Sequence, residues 1–254
     1  MKIVIFSGTT EGRHLSAKLA EAGAKVTVCV AGSYGREEQG ELPGVQVRVG
    51  PLSPGEKREL LKDASVCVDA THPYARHISE TVKTACRTEH VPLLRLKRPE
   101  SELGNAHVVE SAAEAAAYLA EREGNILLTT GAKELRSFEA LPPGRLFPRV
   151  LPSTESIAAC EELGIPHRNI IAMQGPFSTE MNKAMIRQYA IRFLVSKDGG
   201  EAGGFAEKAA AANETGTELI VLRRPEESGL SFDEVLNQCM TRLRVEITEG
   251  EEQP

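Results

Sequence analysis

Two short segments of the chain carry residue types suited to binding a nucleotide and moving a proton. One is Gly-Thr-Thr-Glu-Gly-Arg at 8–13, and the other is Asp-Ala-Thr-His-Pro-Tyr at 69–74. Each follows an apolar, strand-like run and precedes a helical pattern. Open parallel sheets bind ligands where the carboxyl ends of strands meet the first turns of helices. The two segments therefore predict a ligand-binding edge.

The first segment has the composition of a phosphate-binding loop. Its first glycine permits a tight turn, and its second removes a side chain where helix and strand must approach each other. Amides at the helix start, with the positive end of the helix dipole behind them, suit a pyrophosphate. The spacing departs from G-x-G-x-x-G, so a plain tight turn is the alternative. On the binding interpretation the cofactor contacts are Gly8, Thr9, Thr10, Glu11, Gly12 and Arg13.

The residues after the second predicted strand indicate which nucleotide is bound. NAD-binding proteins commonly have an Asp or Glu there for the ribose hydroxyls. This chain instead has Ser33, Tyr34 and Arg36, which we add to the cofactor contacts. A guanidinium pairs bidentately with phosphate oxygens, as a 2′-phosphate requires. We predict NADPH, with NADH as the other candidate; a solvent-facing loop charge is the alternative role for Arg36.

The second segment offers a hydroxyl, an imidazole and a phenol after the fourth strand. Pro73 fits the first turn of the next helix. Because this edge would border the nicotinamide, Thr71, His72 and Pro73 are predicted cofactor contacts, and His72 and Tyr74 are candidate catalytic residues. The structural alternative has Asp69 capping nearby amides and His72 packed in the core.

The elements that must position these residues alternate between strand and helix. Such alternation implies βαβ units and predicts an α/β fold with mostly parallel sheets flanked by helices. The β-branched runs that we interpret as strands are 2–6, 25–30, 45–49, 65–69, 92–96, 126–130, 145–150, 169–173, 191–196 and 218–222.

A weak internal repeat suggests two similarly wound halves. Residues 93–100 recur as 219–226, Gly8 corresponds to Gly131, and Thr71-His72 corresponds to Ser196-Lys197. Proline merely stops a strand, so a chance likeness of two Arg-Pro strand ends is the alternative. Pro, Gly and Asn cluster near 100–105. We therefore predict an NADP(H)-binding domain at 1–102 and a second α/β domain at 103–254, ending in a frayed acidic tail at 250–254.

The overall composition narrows the class of protein. A formal net charge of -6 over 254 residues gives no general affinity for nucleic acid. No apolar run approaches the ~20 residues that cross a bilayer, so no membrane partner is expected. Five scattered cysteines without C-x-x-C spacing predict buried thiols in a reducing cytoplasm. The histidines stand at no metal-ligand spacing, so no protein-bound metal is expected.

The chain resembles the precorrin-6A reductase, or cobalt-precorrin-6A reductase, family of cobalamin biosynthesis. The resemblance runs nearly end to end and rests on both segments above together with Arg98-Pro99, Leu128-Thr129-Thr130-Gly131, Gln174-Gly175-Pro176-Phe177 and Lys197-Asp198. In that family two Rossmann-like domains enclose a cleft, and NADPH bound by the N-terminal domain delivers a hydride to a C=C bond of the tetrapyrrole, giving precorrin-6B. The resemblance implies an oxidoreductase acting on a CH-CH group with NAD(P). One departure is Gly199, where the family often has Ser.

The implied substrate carries many acetate and propionate carboxylates, so it requires a cationic binding surface. Glycine-containing loops follow three strands of the second half; they supply amides, and lysines in or just after two of these loops supply positive charge. The substrate-binding residues that this implies are Arg98, Gly131, Lys133, Arg136, Gln174, Gly175, Pro176, Lys197, Asp198, Gly200, Lys208 and Arg224. Reduction also needs a proton, from His72, Tyr74, solvent or a substrate carboxyl.

Other classes of protein make different predictions. No tyrosine is followed four residues later by lysine, which excludes short-chain dehydrogenase chemistry. The motif G-x-x-x-x-G-K-[ST] does not occur either, which excludes phosphotransfer of the P-loop type. A non-catalytic NADP(H)-binding regulatory or sensor protein is the main alternative, followed by a two-domain glycosyltransferase-like protein that binds a nucleotide sugar. Whether the substrate holds cobalt, and the oligomeric state, stay open.

Overall fold

Strands and helices alternate along the chain in two units. The computed structural model describes residues 1–99, 101–200, 203–225 and 228–251, without the side chains of 246–251. Within that range, one unit comprises residues up to 99 and those from 225 onward, and the other comprises the residues between. No helix in the described range is long and apolar enough to cross a membrane.

The first unit is built on a parallel sheet of order β3-β2-β1-β4-β5. Phe6, at the end of β1, lies beside Cys29 of β2 and Asp69 of β4. The winding reverses between β1 and β4, which is where such sheets bind ligands. Its elements are β1 (Lys2–Phe6), α1 (Thr10–Glu21), β2 (Lys25–Val30), α2 (Ser33–Gln39), β3 (Val45–Val49), α3 (Pro54–Leu61), β4 (Val66–Asp69), α4 (Arg76–Thr88), β5 (Leu93–Arg95) and, from the C-terminal segment, α9 (Phe232–Glu251).

The central strands of this sheet are apolar because both of their faces are covered. Ile3 and Ile5 of β1 pack with α1 and α9, whereas Val4 and Phe6 pack with α3 and α4. A continuous apolar run is what a parallel strand buried on both sides requires. This packing holds the carboxyl ends of β1 and β4 side by side.

The second unit has a parallel sheet of order β6-β11-β10-β7-β8-β9. Read as β9-β8-β7-β10-β11, it repeats the order of the first sheet, with β6 added beside β11. The prediction of two similarly wound α/β halves is confirmed. The elements are β6 (His107–Val109), α5 (Ala112–Ala120), β7 (Asn125–Leu128), β8 (Leu146–Val150), α6 (Thr154–Glu162), β9 (Ile171–Ala172), α7 (Thr179–Gln188), β10 (Ile191–Lys197), α8 (Phe205–Thr215) and β11 (Glu218–Leu222), with 3-10 helices at Ala132–Phe138, Pro143–Arg145 and His167–Asn169.

The C-terminal segment lies in a different unit from the one we predicted. The prediction placed 103–254 in the second domain, but Val235, Cys239 and Leu243 of α9 are buried in the core of the first sheet. Their spacing of four residues forms one apolar face of the helix. Leu230 also exchanges backbone hydrogen bonds with Arg95 and Lys97. The chain therefore returns to the first unit after β11, which a single sequence boundary does not represent.

Three smaller predictions can also be compared with the structure. Each of the predicted strand runs contains a strand, whereas the three-residue β6 was missed. All five cysteines are buried and free, as predicted. Of the predicted tail, 250 and 251 belong to α9, and 252–254 lie outside the described residues.

Candidate functional site

The loop after β1 is shaped by its two glycines. Gly8 has a φ of 118°, which favours glycine, and a Cβ there would have no atom within 4 Å. A Cβ on Gly12 would lie 2.0 Å from Ser7 Oγ and 3.2 Å from Ala70 Cβ. Gly12 therefore lets α1 approach the sheet, while the space beside Gly8 is open to a ligand.

The two threonine hydroxyls of this loop bond to the protein. Thr9 is the N-cap of α1, where its Oγ1 accepts from the Gly12 amide (3.2 Å) and donates to the Ala70 carbonyl (2.9 Å). The Thr10 hydroxyl donates to Glu38 Oε1 at 2.6 Å. Both hydroxyl protons are therefore donated to groups of the protein. The amides of Thr10 and Glu11 donate to no group in the described range, so they are available to donate to a ligand.

Two charged side chains of the loop tie α1 to its neighbours. Glu11 Oε2 lies 2.6 Å from Arg98 Nη2, and the Arg98 side chain is only 8% exposed. Arg13 Nε donates to the Gln39 carbonyl at the end of α2 (3.1 Å), where the helix dipole favours a cation. Arg98, predicted to bind substrate, therefore has its guanidinium buried against the first helix.

The helix after β2 presents Ser33 and Arg36 on one face. Both line a cavity of about 670 Å³ that also contains Glu37 and Glu41. Tyr34 is partly exposed, and burial together with the Glu38 charge raises the pKa of its phenol. The structure thus brings the predicted serine and arginine together, with two carboxylates beside them.

Helix α2 also lies close to the β1 loop. A Cβ on Gly35 would lie 2.9 Å from Val30 Cβ and 3.7 Å from Gly8 Cα. This close approach places the start of α2 beside the open space at Gly8. The predicted phosphate loop and the predicted 2′-phosphate residues are therefore neighbours.

A buried hydrogen-bond network surrounds Asp69 at the end of β4. Asp69 Oδ1 accepts from the Thr71 amide (3.0 Å), the Thr71 hydroxyl (2.7 Å) and Arg95 Nη1 (2.8 Å). Ser79 Oγ lies 3.2 Å from the same hydroxyl. Thr71 is buried and occupied by these bonds, so its role here is to shape the loop. The structural alternative for Asp69, capping of nearby amides, describes its contact with the Thr71 amide.

His72 and Tyr74, the candidate acids, lie next to each other. Their ring centroids are 5.5 Å apart, and the Tyr74 amide donates to His72 Nδ1 at 3.4 Å. A neutral ring that accepts at Nδ1 carries its proton on Nε2. Helix α4 begins at Arg76 with Ala75 as N-cap. Pro73 thus precedes the helix instead of lying in its first turn as predicted.

A second cavity of about 620 Å³ borders this segment. Asp69, Pro73 and Arg95 line it together with Arg76 of α4 and Leu230 of the C-terminal segment. The described residues include no group of three His, Cys, Asp or Glu side chains suited to a metal.

The loop after β7 begins with Gly131, at a φ of 86°. It leads into a 3-10 helix on which Lys133 is exposed. Arg136 Nη2 bonds to Glu162 at 3.0 Å. Glu162 ends the nine-residue α6, about 13 Å along the helix from the carboxyl edge of the sheet. Arg136 therefore lies away from that edge, and we leave it out of the proposed substrate surface.

The loop after β10 contains a buried ion pair. Asp198 Oδ1 lies 2.9 Å from Arg224 Nη2 and accepts from Ser101 Oγ (2.6 Å) and the Gly200 amide (3.1 Å). Lys197 Nζ lies 2.7 Å from Glu134 Oε1. Asp198 and Arg224 thus fix this loop, and Lys197 is tied to the 3-10 helix.

The loop after β9 packs against the start of α8. Gln174 and Pro176 are exposed, and a Cβ on Gly204 would lie 3.4 Å from Pro176 Cβ. Lys208, on α8, is buried and donates to the Gly203 carbonyl at 3.0 Å. The two predicted glycine loops are therefore neighbours.

Sequence reasoning missed Arg149 of β8. Arg149 Nη1 donates to Asn182 Oδ1 at 2.7 Å, and its Cζ lies 4.3 Å from the centroid of the Phe177 ring. Burial lowers the pKa of its guanidinium to about 10. A cation inside an apolar strand run is the sequence signal that could have identified Arg149, because a buried charge is unfavourable unless it is paired and hydrogen-bonded.

Comparison with known proteins gives one consistent result. Residues 2–240 match the family described as Precorrin-6x reductase CbiJ/CobK. The chain is 34% identical over 254 residues to the cobalt-precorrin-6A reductase of Priestia megaterium, covering 95% of this chain and 99% of the relative. It is 36% identical over 230 residues to that of Salmonella typhimurium, covering 88% and 87%.

A solved structure supports the fold. The structure described as CobK precorrin-6A reductase matches with a TM-score of 0.74 at 24% identity, covering 94% of this chain and 95% of that one. At this identity the likeness concerns the fold alone.

Proposed function

Because the chain belongs to the precorrin-6x reductase family, we propose that it reduces one C=C bond of precorrin-6A, or of its cobalt complex, with NADPH, giving the precorrin-6B form. The family is one of reductases in corrin biosynthesis that use a nicotinamide cofactor. The observation that carries the proposal is the open, amide-lined turn at Gly8–Gly12 on the carboxyl edge of the first sheet.

The first unit fits a dinucleotide. Gly8 leaves room for a pyrophosphate at the loop, and the amides of Thr10 and Glu11 donate to no group in the described range. The N-terminal dipole of α1 favours an anion in that place. When bound, the cofactor supplies the hydride, and the chain supplies orientation and electrostatics.

The preference for NADPH rests on Arg36. Its guanidinium shares a cavity with Ser33 at the end of β2, the place where an acidic residue would bind the ribose of NADH. The guanidinium can pair bidentately with a 2′-phosphate, and this pairing must outweigh the repulsion from the carboxylates of Glu37 and Glu41 in the same cavity. We expect Arg36→Ala to weaken NADPH binding about tenfold or more and to leave NADH binding unchanged.

Titration of NADPH and of NADH into the wild type and into Arg36→Ala measures this preference. Arg58→Ala is a matched control, since Arg58 is an exposed arginine of the same unit whose side chain pairs with Glu89. Equal loss of NADPH affinity in both variants, or none in Arg36→Ala, would remove Arg36 from the cofactor site.

His72 is our choice for the proton donor, with Tyr74 as the second candidate. With Nδ1 accepting from a backbone amide, the ring holds its proton on Nε2. Thr9, through its bond to the Ala70 carbonyl, fixes the His72 segment against the cofactor loop. We expect His72→Phe to lower kcat at least tenfold, with a smaller effect on NADPH affinity. Near-normal kcat in both His72→Phe and Tyr74→Phe would point to solvent or a substrate carboxyl instead.

The second unit supplies the substrate surface in this proposal. Lys133 lies just after β7, Lys197 ends β10 and Lys208 lies in the first turn of α8, so all three are near the carboxyl ends of two adjacent parallel strands. These groups suit the carboxylates of a tetrapyrrole. Asp198 and Arg224, buried in a mutual ion pair, act by holding the loop.

Anaerobic incubation with NADPH and either precorrin-6A or its cobalt complex tests the function. We expect the nicotinamide absorbance to fall in step with the appearance of the reduced tetrapyrrole. The substrate that is turned over faster shows whether the enzyme acts on the cobalt complex or on the metal-free ring. Binding of NADPH without turnover of either compound would instead favour a regulatory or sensor protein.

A further inference from the structure

Two buried cations lie beneath the strand-end loops of the second unit. Arg149 of β8 and Lys208 of α8 are each only 8% exposed. Neither forms an ion pair with a carboxylate in the described range, although neighbouring Lys183, Lys197 and Arg224 all do. A buried charge is costly unless it is paired. An anion from outside the chain would therefore stabilise these two cations.

Arg149 is held so that one edge of its guanidinium is available. Nη1 is occupied by Asn182 Oδ1 at 2.7 Å and lies 3.6 Å from Met185 Sδ. Asn182 is itself fixed by its bonds to the Phe177 and Ser178 carbonyls (3.2 and 2.9 Å). Nε and Nη2 donate to no group in the described range. These two parallel donors match the two oxygens of a carboxylate.

Lys208 reaches the same region from α8. Its Nζ donates to the Gly203 carbonyl at 3.0 Å, and an ammonium has two further protons to donate. The loops above the two cations touch, since a Cβ on Gly204 would lie 3.4 Å from Pro176 Cβ. Phe177, next in that loop, is the ring over which Arg149 lies.

The charges around Lys208 come from several elements. Burial and the Arg149 charge lower the pKa of Lys208 to about 8, whereas Glu207 and Asp198 oppose this shift. Asp198 is already paired with Arg224, and Glu207 Oε2 is buried without a partner in the described range. On α7, Lys183 is paired with Glu180 and with Glu214 of α8.

We propose that Arg149 and Lys208 together bind one carboxylate side chain of the tetrapyrrole, with Asn182 as the positioning residue of Arg149. The inference rests on the proposed function and adds to it a specific binding site. A carboxylate offers only acceptors, which is what the unoccupied donors of both cations require. Binding would also place a negative charge where the fold has buried two positive ones.

Steady-state kinetics of Arg149→Met and Lys208→Met with NADPH and cobalt-precorrin-6A test the site. We expect the KM for the tetrapyrrole to rise about tenfold or more in each variant, with a smaller effect on kcat and no change in the Kd of NADPH. Lys183→Met, which removes a lysine of the same unit that already has carboxylate partners, is the control and should behave like the wild type.

The pH dependence separates binding from a merely structural role. In the wild type the KM for the tetrapyrrole should rise above about pH 8, as Lys208 loses its proton. Lys208→Arg should keep the low KM up to pH 9, because arginine stays charged. A structural role predicts instead that KM, NADPH affinity and thermal stability all deteriorate together.

The outcomes distinguish this site from the function itself. Unchanged KM in both methionine variants of an active enzyme overturns the site and leaves the proposed function standing. A rise in KM that accompanies equal losses of thermal stability and NADPH affinity also overturns it. A wild type that turns over neither tetrapyrrole overturns the function and the site together.

Discussion

The two sheets share one strand order but present different chemistry at their carboxyl edges. In the first, β1 is followed by a full α-helix whose start offers backbone amides, with Gly12 seating it against the strand. In the second, β7 is followed by a 3-10 helix, and the positive charge comes from side chains such as Lys133 and Lys208. The same strand order thus carries backbone donors at one edge and cationic side chains at the other.

The difference follows from what each ligand requires. A pyrophosphate is compact and suits a fixed set of amides at a helix start. Carboxylates spread around a wide ring need separate cations at several strand ends. This difference is the reason why we propose the first edge for the nucleotide and the second for the tetrapyrrole.

The edges also share one device, a buried aspartate–arginine pair between corresponding strands. Asp69 pairs with Arg95 across β4 and β5, and Asp198 pairs with Arg224 just beyond β10 and β11. In both places the aspartate also accepts from an amide two residues later. These pairs hold the loops that carry the site.

The largest expected effect is on these two pairs. Asp69→Asn and Asp198→Asn should each lower the free energy of unfolding by about 3 kcal/mol, because each removes a buried carboxylate from a guanidinium that is largely shielded from solvent. Urea denaturation measures the loss, and Glu59→Gln, at an exposed ion pair, should cost less than about 1 kcal/mol. A loss as small as the control's in either variant would show that the edges are not held alike.

A somewhat smaller effect concerns Lys208 and pH. Its pKa is lowered from 10.5 to about 8 in the folded protein. Between these values the unfolded chain binds more protons, so stability should rise with pH through that interval, by up to about 3 kcal/mol. In Lys208→Met this rise should disappear. Urea denaturation of the wild type and of Lys208→Met from pH 7 to 10, without substrate, measures the rise. If the free energy of unfolding depends on pH in the same way in both proteins, Lys208 is not a buried, unpaired cation.

A moderate effect is expected at the close approach of α1 to its sheet. Gly12→Ala should cost about 1–3 kcal/mol and weaken NADPH binding, because the new Cβ meets Ser7. Adding Ser7→Gly should restore part of both, since the two nearest atoms belong to that side chain. Gly55→Ala, where a Cβ meets nothing within 4 Å, is the control. No rescue by the second substitution would contradict this explanation of Gly12.

The smallest effect is expected for the Thr10 hydroxyl. Thr10→Val removes its bond to Glu38 and should cost about 1 kcal/mol of stability. The Kd of NADPH should change less than twofold, because in our proposal the Thr10 amide, not its hydroxyl, binds the phosphate. Calorimetric titration of NADPH into the wild type and into Thr10→Val measures the two Kd values. A tenfold weaker Kd with unchanged stability would show that the hydroxyl contacts the nucleotide.

Much of the fold was readable from the sequence because parallel strands buried on both faces leave continuous apolar runs. β6 was missed because its only β-branched residues are Val108 and Val109, between a histidine and a glutamate. The return of α9 to the first unit depends on packing across distant parts of the chain. Residue types pointed to loops that the structure places at the carboxyl ends of strands, but the spacing of residues in the sequence does not reveal their bonding partners. It missed that Thr9, Thr10 and Arg98 bond within the protein, and that Arg149 lies buried beside Lys208.

The central claim, that NADPH binds at the turn after β1, is tested most directly by a crystal structure of the protein with NADPH. We predict pyrophosphate oxygens within hydrogen-bonding distance of the Thr10 and Glu11 amides and the 2′-phosphate against Arg36. A nucleotide bound elsewhere, with the turn at Gly8–Gly12 empty, would contradict the claim.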